Sequence, residues 1–169
     1  MGLVAKQKIL VIRGEKDSGK TRMLTDLIGI LFHFAGKQNT EIVRIKGNCF
    51  AFFTFGDQHV CVTTGGRTIE EIDAAFNWSA DYFFSEWWIC ELRAGDKELE
   101  KEITFDDEAE YIFRNKPKTV FLATEGEDLE DKMENQNWKE TQDLVHYLIE
   151  NEIPINQDTK KRKMNSYSK

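Results

Sequence analysis

Short apolar runs alternate with amphipathic stretches along this chain. KILVIRG (8–14) packs aliphatic residues together and closes on a glycine, the pattern of a buried strand. In TRMLTDLIGILFHFAG (21–36), Leu24, Leu27, Ile28, Leu31 and Phe34 or Ala35 recur at helical spacing, and Gly36 is placed to end the helix. Met23, Ile30 and Phe32 make its other side apolar, which predicts a helix covered on more than one side.

EIVRIKG and NCFAFFTFGDQHVCVTTGG (41–66) read as extended chain, with a hairpin turn at Gly56-Asp57-Gln58. TIEEIDAAFNWSA (68–80) sets Ile69, Ile72 and Ala75–Phe76 on one helical face, with acids at its start. DYFFSEWWICELR (81–93) reads as a central strand, and TVFLATEG (119–126) as another. The charged segment 94–118 fits neither period. A helix within 127–153 is anchored by Trp138, Leu144, Val145, Leu148 and Ile149, and Pro154 ends it. Without repeats or a linker, one domain is expected over 1–155, followed by a polar basic tail (156–169) expected to be disordered. Strands alternating with helices predict an α/β fold: a three-layer α/β/α sandwich with a mostly parallel sheet and one β-hairpin.

The candidate chemistry sits between the first strand and helix. Gly14-Glu15-Lys16-Asp17-Ser18-Gly19-Lys20-Thr21 fits G-x-x-x-x-G-K-[ST] at every fixed position. At ordinary glycine usage of about 7%, a chain this long meets the pattern by accident on the order of once in a hundred. Gly14 and Gly19 allow the backbone to curl so that amides converge on phosphate oxygens, and the following helix aims its positive end at the same point. Lys20 would neutralise β- and γ-phosphates, and Thr21 would offer its hydroxyl to Mg²⁺.

These residues resemble the Walker A motif of the P-loop NTPase superfamily. The resemblance implies a nucleotide at the C-terminal edge of a parallel sheet, Mg²⁺, and phosphoryl chemistry on ATP or GTP. The family's second motif is an acid ending an apolar strand. The hairpin here resembles one in small GTPases whose second strand ends D-x-x-G, yet Thr63 stands where that aspartate would be. Asp57, Glu91 and Glu125 are the candidate replacements. NKPK (115–118) approaches the guanine-reading N-K-x-D but lacks its aspartate and precedes a strand, so ATP is expected ahead of GTP. FFTFGDQHVCVTTGG with Asp81 to Arg93 is also similar to small bacterial P-loop proteins, a likeness that assigns no activity.

The net charge of −7 disfavours nucleic acid, and no apolar run has membrane-spanning length. The N-terminus lacks a signal-peptide cleavage pattern, and Lys6 stands where a myristoylation site needs Ser or Thr. Cys49, Cys61 and Cys90 lack metal or disulfide spacing and are expected as buried free thiols in a cytoplasmic protein. Phe50, Phe52, Phe53, Phe55, Trp78, Tyr82, Phe83, Phe84, Trp87 and Trp88 are expected mostly in the core, with some available as a patch for a protein partner or a second copy. The expected function is Mg²⁺-dependent triphosphate binding with slow hydrolysis, Lys20 and Arg93 acting on the phosphates. The alternatives are a small-molecule or nucleotide kinase, with Arg67, Arg93 and Arg114 as candidate phosphate-binding arginines, and a non-catalytic nucleotide switch.

Overall fold

Strand β1 (Lys8–Gly14) lies inside the sheet because its aliphatic residues need cover on both faces. Ile9, Leu10, Val11 and Ile12 are at most 2% exposed. The computed structural model describes residues 7–81, 85–104, 108–117, 129–151 and 153. The order continues with α1 (Lys20–Ala35), β2 (Thr40–Ile45), β3 (Asn48–Phe55), β4 (Gln58–Thr63) and α2 (Ile69–Ala80). It ends with β5 (Trp87–Arg93), α3 (Lys97–Ile103), β6 (Glu110–Asn115) and α4 (Leu129–Glu150).

The six strands form one sheet in the order β2-β3-β4-β5-β1-β6. β4, β5, β1 and β6 run parallel, while β2–β3 and β3–β4 pair antiparallel. The sheet is therefore mixed, a coarser result than the mostly parallel one expected. It contains two hairpin turns instead of one: Lys46-Gly47, with φ of 50° and 83°, and Gly56-Asp57. The exposed side chains of β2 hid the first, because period-2 burial is absent there.

Alternation along β1 and β5 sorts side chains between two cores. Leu10, Ile12, Trp87 and Ile89 meet α1 and α4 on one face; Ile9, Val11, Trp88, Cys90 and Leu92 meet α2 and α3 on the other. Leu24, Leu27 and Leu31 of α1 are fully buried, each such burial contributing roughly 1.5–3 kcal/mol. Of the residues expected on its other side, Met23 is buried and Ile30 half-buried, but Phe32 is 41% exposed, so that side of α1 is covered only in part. Leu144 and Leu148 anchor α4, but Trp138 does not: it is 47% exposed.

The expected strand 81–93 is shorter. Asp81 caps α2, β5 begins at Trp87, and residues 82–84 lie outside those described. The unassigned 94–118 holds α3, with Asp96 accepting from the amides of Glu98 and Leu99, and then β6. NKPK therefore follows a strand, contrary to expectation. The expected strand 119–126, Glu125 and the tail 156–169 lie outside the described residues. Of the aromatic cluster, Phe50, Phe53, Phe55, Trp87 and Trp88 are buried and Phe52 and Trp78 half-buried, so this part builds core instead of an exposed patch. All three cysteines are free and buried, and burial pushes the Cys61 thiol up to about 12. Among the described residues no helix is long and apolar enough to cross a membrane.

Candidate phosphate-binding site

The loop from Gly14 to Gly19 turns the chain from the end of β1 into α1. Its conformation needs its residue types. Gly19 precedes the helix with φ of 91°, and a Cβ there would come within 2.6 Å of the Asn137 side chain of α4. Asp17 also adopts a positive φ, 62°, which aspartate tolerates better than most residues. Gly14 is a glycine for space: a Cβ would lie 2.7 Å from the Lys116 carbonyl and from Ser18 Oγ. No side chain caps α1, so its first amides face the loop without helical partners.

Around this loop lies a cavity of about 220 Å³, lined by Lys16, Asp17, Gly19, Lys20, Thr21, Arg22, Arg67, Glu91 and Arg93. Five basic side chains face two acidic ones there, in a chain whose net charge is −7. The volume suits a phosphate chain; a nucleoside would extend beyond it. Lys20 is 6% exposed and donates from Nζ to the Glu15 carbonyl at 2.8 Å. Burial lowers its pKa, and Arg93 and Lys116 push the same way against Glu91 and Asp17. Ser18 Oγ and Arg93 Nε are buried without a hydrogen-bond partner.

The acid comes from β5. Parity places Glu91 on the face of Trp87 and Ile89, toward α1, and the register sets it beside Ile12 of β1. The hydroxyl of Thr21 donates to Glu91 Oε1 at 2.8 Å, and the Gly65 amide donates to the same oxygen at 3.0 Å. Glu91 itself is 1% exposed. Burial raises its pKa, opposed by the Thr21 and Gly65 hydrogen bonds and by the charge of Lys20. Gly66 brings the strap 64–66 onto β5: a Cβ there would sit 2.0 Å from the Glu91 carbonyl oxygen. Arg93 N–H in turn donates to the Gly66 carbonyl.

Of the three acids expected as alternatives, only Glu91 lines this cavity among the described residues. Asp57 sits at the start of β4, at the opposite end of the parallel strands. Thr63 does not face the cavity: it accepts from Trp88 Nε1 at 2.9 Å, on the other side of the sheet. Arg67 joins Arg93 in the cavity, although it is remote in sequence, whereas Arg114 stacks over Tyr147. Lys116 of NKPK is buried against Glu140, so it is not free to read a base; Asn115 is exposed, and its Oδ1 accepts from Arg13. A roomier groove of about 740 Å³ runs between α1 and α4, past His33, Trp138 and His146, but no Lys or Arg lines it.

Among the described residues no three His, Cys, Asp or Glu side chains cluster as a metal site. Comparison with protein families, curated proteins and solved structures finds no match.

Proposed function

We propose that this protein binds the phosphates of a nucleoside triphosphate with Mg²⁺ at the loop 14–21, and hydrolyses it slowly. The observation that carries the reading is the Thr21–Glu91 hydrogen bond at the foot of a glycine-bounded, lysine-bearing loop. It supplies the strand-end acid that the loop motif calls for. The donors fit the cation: a hydroxyl and a carboxylate, both oxygen, as Mg²⁺ prefers. Bound there, Mg²⁺ would neutralise phosphate charge. Loop amides and Lys20 would hold the phosphate oxygens, and Arg93 would offset the charge that builds as the terminal phosphoryl leaves. A single carboxylate is a weak cation site alone, so metal and nucleotide should bind together.

ATP is preferred to GTP in this reading because NKPK lacks the base-reading aspartate and its Lys116 is buried against Glu140. A second reading, phosphoryl transfer to a small molecule, gains support from the meeting of Arg67 and Arg93 in one cavity. Calorimetry with ATP, GTP and ADP, with and without Mg²⁺, followed by a phosphate-release assay, tests both. Mg²⁺-dependent binding with release lacking any acceptor supports the NTPase. Release or transfer only with an added metabolite supports the kinase. No triphosphate binding sinks both.

A further inference from the structure

We propose that the groove beside the phosphate cavity is a second ligand site, shaped for a small organic anion with an apolar body. It goes beyond the triphosphate reading and rests on it only for what lies across the two shared arginines. The groove, about 570 Å³, runs between the β2–β3 turn and the first half of α2, a volume ordinary for small-molecule sites. Phe50 forms part of its wall at 2% exposure, with Ala74 and Ile45 beside it. An apolar ligand body would find cover there.

The charged end is set by Arg67 and Arg93, which line this groove and the phosphate cavity alike. Arg93 Nε is buried and has no acceptor, which leaves that guanidinium short of one partner beside the groove. Arg67 is held by Glu71 at 3.4 Å, and Glu71 accepts from Asn48 Nδ2 at 2.8 Å, which engages the carboxylate. Lys46 adds a third cation, set against the two carboxylates Glu70 and Glu71 of α2, at a turn position with φ of 50° where Asn or Gly is the usual choice. A lysine in that conformation carries a conformational cost.

The test titrates ¹⁵N-labelled full-length protein with phenylacetate, phenyl phosphate and the neutral 2-phenylethanol, following amide shifts. Either anion should shift Asn48, Thr68 and Ala74 and bind at least tenfold tighter than the alcohol. The better anion tells a carboxylate ligand from a phosphate ester. Ala74→Trp, introduced at an exposed position of α2, should fill the groove and weaken the anion at least tenfold. If that variant fails to fold, the wild-type shift map still decides. Equal binding of the alcohol, or shifts confined to the loop 15–19 or to the α1–α4 groove, would overturn the proposal. A separate Mg²⁺–ATP titration reads the loop: silence there, with the anion still seated in the groove, would sink the triphosphate reading alone.

Discussion

Thr21 Oγ1 donates to Glu91 across 70 residues, at 2.8 Å from one carboxylate oxygen and 3.0 Å from the other. Thr21 as a residue is exposed and the acid is buried. Burial raises the Glu91 pKa above its ordinary 4.5, so the folded chain holds that proton to higher pH than the unfolded chain does. The stability this contributes is fully present below 4.5 and is lost as pH rises through the folded value. Glu91→Gln carries no such term. It should melt above the wild type at pH 8, the gap closing as pH falls toward 4.5. Its Mg²⁺-dependent triphosphate affinity should drop at least tenfold, or about 1.4 kcal/mol. A gap that ignores pH would mean the carboxylate does not titrate as a buried group.

Lys20→Ala should lower triphosphate affinity on the order of a hundredfold, in keeping with roughly 1.5–3 kcal/mol for a charge-assisted bond. The ammonium's hydrogen-bond partner is a single loop carbonyl, so thermal melting should stay close to wild type. Unchanged ATP binding in the folded variant would remove the loop from consideration.

Arg93→Ala should reduce phosphate release more than it reduces ATP affinity, because a cation matters most as charge moves onto the leaving group. The isolated wild type should turn over well below the ~10 s⁻¹ typical of enzymes. Ordinary enzyme rates, indifferent to loss of Arg93, would show the role to be misassigned.

Gly66→Ala is the sharpest structural probe. A Cβ 2.0 Å from the backbone oxygen of Glu91 must push the strap off β5. The expected cost is about 3 kcal/mol, the upper end for overpacking. Because Gly65 N–H would move with it, Mg²⁺ dependence should weaken even at temperatures where the variant stays folded. Denaturant melts and calorimetry check the two parts separately. An unperturbed Gly66→Ala protein would mean that the strap does not press on β5.

The loop was legible as a turn from strand to helix because its glycines, lysine and threonine stand at fixed spacing, and β1 and α1 because their periods are strong. Glu91 could be narrowed to one of three acids and no further. What selects it is that β5 lies beside β1, and strand order is not written in local pattern. The pairing of Arg67 with Arg93 was hidden for the same reason. β6 went unread because its residues are half-buried or exposed, leaving no clean alternation. Trp138 misled because a large apolar residue on a helix need not face inward.

β1 has no neighbour made close to it in time. Its two flanking strands, β5 and β6, are Trp87–Arg93 and Glu110–Asn115. On the ribosome, β1 must therefore wait until residue 115 has been made before it can be zipped in on both sides, and contacts so distant in sequence form slowly. The loop 14–21 hangs on the end of β1, so its shape depends on strands made well after it. Nascent chains stalled before residue 87 should show no amide protection at 8–14, and protection at that length would contradict this order of events.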